Sequence, residues 1–209
     1  MSEHVLDIPF TRDLARRLKL GDLVYLRGAA VVTAGYPTHE RLVDCIENDL
    51  PVPVAPDGAF FHLGCMSRLE NGVRRPLYVN PTTSTRFNAF IPAIVRHFRL
   101  TALGGKGGLD ARSIEAMRET GCVYLAITGG AAPILTEGVA EVIETGWDDL
   151  IAQFRLNRLR LDMFGPLTVA IDAHGNSIYA ELAGSARRRL PEILRGLANE
   201  RGSQNTHSG

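Results

Sequence analysis

Two short segments gather the side chains best suited to holding a small anion. PTTSTR (residues 81–86) sets Thr82, Thr83, Ser84 and Thr85 ahead of Arg86, and GGKGG (residues 104–108) sets Lys106 among four glycines. Hydroxyls and backbone N–H groups at a helix start accept oxyanions, and a guanidinium adds a planar fork matched to a carboxylate. Glycines beside Lys106 let a ligand approach the backbone with no side chain in the way. Each loop alone has a plainer reading: Thr82 or Ser84 as a helix cap with Arg86 in solvent, and Lys106 as a solvated turn residue. Their occurrence together, at the C-terminal ends of predicted strands, is what carries the functional reading. A nucleotide P-loop is excluded, because its pattern needs glycine where Leu100 stands and Ser or Thr where Gly107 stands.

Other polar residues carry less. In TAGYPTHER (residues 33–41), His39 and Arg41 open a predicted helix, where His39 is either a substrate-binding proton carrier or an exposed helix-start histidine. His62, inside the apolar run FFHLG, reads as a core histidine. TGGAA (residues 128–132) offers either an N–H nest or close packing. The six histidines are scattered without the i, i+4 spacing of a zinc helix, and Cys45, Cys65 and Cys122 are far apart with no C-x-x-C pair. These cysteines read as reduced, apolar core residues, so no metal or cluster site is expected on this chain alone.

The elements that must position the two loops follow from periodicity. A chain of 209 residues with 45% hydrophobic content can bury one sizeable core. Helices are expected at residues 11–20 (capped by Thr11), 38–48, from the 81–86 loop to about 98, between Asp110 and Gly121, 148–154 and 185–197. Strands are expected at 23–26, 29–33, 59–63, 77–79, 100–103, 122–127, 139–143, 158–164 and 167–171, with DAHGNS (residues 172–177) closing a hairpin. This order predicts an α/β domain over residues 1–199, with a mixed, largely parallel sheet and flanking helices, followed by an unstructured polar tail at 200–209. The 23 Lys+Arg balance the 23 Asp+Glu, so no global field favours nucleic acid or an anionic membrane. No apolar run approaches the roughly 20 residues of a membrane span, and a cytoplasmic protein is expected.

PTTSTR, GGKGG, VYLAITGGAA (residues 123–132) and TVAIDAHGNSIY (residues 168–179), in that order, resemble the β subunit of tartrate dehydratases and the C-terminal domain of class I fumarases. The resemblance runs from about Gly21 to Tyr179. It implies a swivelling β/β/α domain that completes an iron–sulfur hydro-lyase, an enzyme adding or eliminating water on a small hydroxy-dicarboxylic acid such as tartrate or malate/fumarate. The [4Fe–4S] cluster would sit on a partner α subunit in a hetero-oligomer, α2β2 in form, with none bound by this chain alone. By motif, Thr82 corresponds to the threonine proposed as base, Arg86 to a carboxylate-binding arginine and Lys106 to the glycine-loop lysine; Thr83 and His39 join the substrate-binding set. The chain departs from the family where T-x-R-D-x-A-H-x-R is usual: Gly35 stands for the arginine and Tyr36 for the aspartate, leaving Arg27 as the one candidate to compensate. A diverged member acting on another hydroxy-acid, or a non-catalytic anion-binding module of the same fold, are the alternatives.

Overall fold

Alternate burial organises the N-terminal strands of the computed structural model, which describes residues 1–205. In β1 (Glu3–Ile8) Leu6 and Ile8 are buried while Val5 and Asp7 face outward, the period of a half-covered strand. It lies parallel to β2 (Leu23–Val32), one continuous strand where two were expected. From β2 the sheet continues in parallel through β3 (Ala59–Phe61), β6 (Ala102–Gly105) and β7 (Val123–Ala126). The long β9 (Leu156–Ile171) then runs antiparallel to β7 and to β8 (Val139–Gly146).

β9 also pairs antiparallel with β2. The strands β2, β3, β6, β7 and β9 therefore close on themselves into a barrel, with β1 and β8 attached outside the ring. Closure leaves the ring no free edge and packs Val24, Leu26, Phe61, Leu125, Leu159, Phe164 and Val169 into one core cluster. The largely parallel sheet with flanking helices is as the sequence predicts; its closure is the addition.

The helices that flank the sheet show their signals well. α1 (Arg12–Ala15), a single turn where residues 11–20 were expected, starts at Thr11, whose hydroxyl accepts from the Leu14 N–H, and α4 (Ala111–Thr120) starts at Asp110, whose carboxylate accepts from the Ser113 N–H at 2.8 Å. α4 stops at Gly121 in the left-handed conformation, φ 75°. α2 (Tyr36–Glu47) follows β2, and α3 (Ile91–His97) follows a 3₁₀ turn at Ser84–Phe87.

Several expected elements differ. β4 (Leu63–Glu70) and β5 (Val73–Pro81) make a separate hairpin across Asn71-Gly72, both with positive φ, where only Leu63, the end of the strand expected at 59–63, and residues 77–79 were expected as strand. A short α5 (Ala132–Glu137) follows TGG. The helix expected at 148–154 is only a 3₁₀ turn, Ala152–Phe154: the Leu150, Phe154 and Arg155 N–H groups bond within the segment, while the Gln153 and Phe154 carbonyls accept from Ala34, Thr33 and Thr38 instead of continuing a helix. The 172–177 turn closes no hairpin: Asp172 ties it by accepting from the His174 and Asn176 N–H groups, and the chain leaves it as a helix.

The chain divides into two compact units after Asn176. The second consists of α6 (Ile178–Asn205), begun by the Ser177 hydroxyl accepting from the Ala180 N–H. Of the tail expected to be unstructured, residues 200–205 continue this helix and 206–209 lie outside the described residues. Among the described residues no helix is long and apolar enough to cross a membrane.

Candidate functional site

The parallel strands β2, β3 and β6 end side by side, and their following residues build one cleft. After β3 comes His62, after β6 comes Lys106, and after β5 comes Thr82. These ends are zipped together by backbone bonds. The Thr82 N–H donates to the His62 carbonyl at 2.9 Å, the Lys106 N–H to the Thr82 carbonyl at 3.1 Å, and the Ser84 N–H to the Lys106 carbonyl at 2.9 Å. The PTTSTR and GGKGG loops thus form a short parallel bridge, Thr83 opposite Lys106. The same bonds use up the Thr82 and Ser84 N–H groups, so the expected backbone cradle is instead made by side chains.

A cavity of about 310 Å³ opens beside this bridge, lined by Thr82, Arg86 and Lys106 together with Asn80, Tyr78 and Gln153. The Arg86 guanidinium donates to the Thr82 Oγ1 at 3.0 Å. The Lys106 ammonium forms no hydrogen bond or ion pair among the described residues, and no carboxylate lines the cleft. Two cations and a hydroxyl lining one cavity, with no carboxylate among its lining residues, attract an anion and favour the ionised form of any group the cations touch. A surface hollow of about 350 Å³ lies between α3 and α4, lined by Pro92, Arg96, Arg112 and Glu115, but its Arg96 is already paired with Glu119.

Beneath the loops a buried polar chain fixes their height. Ser84, fully buried, shares hydrogen bonds with His62 Nδ1 at 2.8 Å and the Tyr124 hydroxyl at 2.7 Å. Gly105 must lack a side chain here, since a Cβ would stand 2.3 Å from Ser84 Oγ and 3.0 Å from His62 Cβ.

His39 does not reach the cleft. It is fully buried, stacked on Phe87 with ring centroids 3.9 Å apart, and its Nδ1–H donates to the Gly35 carbonyl at 2.6 Å. Burial lowers its pKa to about 4, so it is neutral at physiological pH. Burial, and then its neighbour His39, also hold His62 well below the ordinary imidazole range. The Nε2 atoms of both rings lack a hydrogen-bond partner among the described residues. Thr83 lines no part of the cavity either, and nor does Arg27. Arg27 lies in β2 seven residues before Ala34, about 23 Å along the strand at about 3.3 Å per residue.

Position 35 is closed by another element. A Cβ on Gly35 would meet Thr38 Oγ1 at 2.3 Å and Phe154 Cβ at 2.7 Å. The segment 147–155 is bound there by the Ala34 N–H to the Gln153 carbonyl at 3.0 Å, and by the Thr33 and Thr38 hydroxyls to the Phe154 carbonyl. Arg41 holds its other end, forking onto the Asp149 carboxylate at 3.0 and 2.8 Å and lying 5.3 Å over the Trp147 ring. This strap, and with it Gln153, was missed because residues 148–154 were read as an ordinary helix.

The cysteines offer no cluster site. Cys45, Cys65 and Cys122 are free, separately buried thiols, and no group of three or more His, Cys, Asp or Glu among the described residues is placed to hold a metal. Burial pushes the Cys65 thiol up to about 11 and raises Cys122 further, opposite to what a thiolate ligand needs.

A family model described as the fumarase C-terminus matches residues 2–182. The chain belongs to this family. It is 31% identical over 186 residues, 88% of this chain and 95% of the relative, to a Methanocaldococcus jannaschii protein provisionally named L(+)-tartrate dehydratase subunit beta. It is likewise 31% identical over 178 residues, 85% of this chain and 87% of the relative, to the Escherichia coli K12 L(+)-tartrate dehydratase subunit beta. A Geobacillus stearothermophilus protein provisionally named class I fumarate hydratase is 30% identical over 189 residues, which are 90% of this chain and 36% of that protein. In this member of the fumarase C-terminus family Thr82, Arg86 and Lys106 line one cleft at the strand ends.

Proposed function

We propose that this chain is the β-type subunit of an iron–sulfur hydro-lyase that adds or eliminates water on a small hydroxy-dicarboxylic acid of the tartrate or malate/fumarate kind. The observation that carries the reading is the cleft in which Thr82 Oγ1 accepts a hydrogen bond from Arg86 at 3.0 Å and which Lys106, without an ion pair among the described residues, also lines. The relatives' names support it, and the relative in which this chain matches only 36% fits a division of the enzyme into two parts.

In this reading Arg86 and Lys106 bind a substrate carboxylate, and Thr82 takes or returns the proton on the carbon beside it. A free alcohol is a weak base. Next to two cations the alkoxide is stabilised, and the same cations offset the charge that develops on the carboxylate as the C–H bond breaks. The Ser84–His62–Tyr124 chain sets the position of Thr82 from below. A [4Fe–4S] cluster, carried by an α-type partner, supplies the Lewis acidity for the leaving hydroxyl. The chain's own cysteines are too deeply and separately buried to hold it.

Anaerobic co-expression with an α-type cluster protein, followed by absorbance detection of unsaturated acid product, tests the proposal. Activity in the two-subunit preparation and none in this chain alone is the expected result. Hydro-lyase activity in the cluster-free chain, or none in the loaded complex against any hydroxy-acid, overturns it.

A further inference from the structure

The lining of the cleft is of two chemical kinds. Both cations adjoin Thr82, Arg86 bonded to the Thr82 hydroxyl and Lys106 bonded through its backbone to the Thr82 carbonyl. The rest of the lining is uncharged: Ala34, Gly64 and Gln153, with Asn80 and Tyr78 from β5. Gly64 has little room for a side chain, since a Cβ there would stand 3.2 Å from Gln153 Cβ and 3.4 Å from Ala34 Cβ. The Gln153 side chain therefore lies against Gly64 within that lining. Its carboxamide forms no hydrogen bond among the described residues, and neither does that of Asn80.

Gln153 is also held in place from outside the cleft. Its carbonyl accepts from the Ala34 N–H, the next carbonyl accepts from Thr33 and Thr38, and Arg41 grips the strap at Asp149. A free amide on a fixed backbone, lining the same small cavity as two cations, is a donor–acceptor pair suited to an uncharged hydrogen-bonding group.

We propose that Gln153 is a specificity-determining residue, whose amide hydrogen-bonds a substrate hydroxyl other than the one eliminated and so favours a vicinal dihydroxy acid over its monohydroxy analogue. This rests on the hydro-lyase reading above. A site that presents a free amide to a hydroxyl discriminates against the analogue lacking it, because the amide then loses that hydrogen bond within the occupied cleft. An ionised second carboxylate gains no charge partner from this part of the lining, so an uncharged group is the better fit.

The test is the ratio of kcat/KM for tartrate to that for malate, measured on the two-subunit enzyme with Gln153 and with Gln153→Leu and Gln153→Met. The substitutions leave the backbone bonds of the strap intact, and thermal melting reports whether the fold is kept. Because the amide contact serves the second hydroxyl alone, the ratio is expected to fall at least tenfold in both variants, with malate kinetics within about threefold of the parent and an unchanged melting temperature. An active complex whose ratio is unmoved by either substitution overturns the role of Gln153 and leaves the hydro-lyase reading standing. A loaded complex inactive on both acids overturns that reading, and this inference with it.

Discussion

The side chains that face the cleft divide the work by charge. Removing Arg86 takes away both a carboxylate ligand and the donor to Thr82 Oγ1. Arg86→Ala is expected to lower kcat/KM of the two-subunit enzyme by about 30-fold or more, the equivalent of 2 kcal/mol or above of charge-assisted binding. Lys106→Met should act mainly on kcat, since its charge is otherwise uncompensated and is best used where negative charge grows. Steady-state kinetics on the reconstituted pair separate the two effects; wild-type constants in both variants would remove these residues from the site. His39 contributes to stability instead. Its folded pKa, about 4, lies below the unfolded value near 6.5, so the unfolded chain binds the extra proton between those values. Its contribution is complete above pH 6.5 and is lost as pH falls towards 4, with about 2 kcal/mol gone by pH 5. His62, depressed in the same direction, adds to the slope. Urea unfolding at pH 7.5 and pH 5 measures it, and equal stabilities would contradict the neutral buried pair.

At the scale of elements, the strap 147–155 is the feature that sets this cleft apart. Gly35→Ala is expected to destabilise the fold by about 1–3 kcal/mol, because the Cβ can be accommodated only by displacing Phe154 or Thr38. Arg41→Ala removes an ion pair that is largely exposed, so the melting temperature should scarcely change, while KM rises several-fold as the strap loosens. A normal KM in Arg41→Ala would show that the strap is held without it. Much of this level was legible in the residues. Asp110 and Gly121 bound α4 as their types dictate, and Thr11 caps α1. The β4–β5 hairpin had its signal too, in Asn71-Gly72, but the alternation around it is weak because several of its residues are exposed on both faces. The strap gave no usable signal: WDDLIAQF has helical spacing, yet its Gln153 and Phe154 carbonyls are taken by Ala34, Thr33 and Thr38, partners more than 100 residues away. Similarly, nothing local to His39 revealed that Phe87 would cover it.

For the molecule as a whole, closure of the sheet explains why loops distant in sequence share one cleft. β2, β3 and β6 are parallel neighbours in the ring, so residues 33–35, 62 and 106 emerge at the same end. The sequence order of strand and helix indicates parallel pairing, but the long antiparallel β9 that closes the ring depends on contacts with β2 and β7 that no local pattern encodes. Membership of the fumarase C-terminus family, a cleft with two cations and no carboxylate, and cysteines unsuited to a cluster together favour a subunit that completes a site rather than one that contains it. The most direct test is the turnover of the two-subunit enzyme carrying Thr82→Ala, with cluster content and melting temperature matched to the parent. A fall in kcat of about 100-fold or more is the predicted result, as for loss of a positioned base; a turnover within twofold of the parent would contradict Thr82 as the proton carrier and the cleft as the catalytic site.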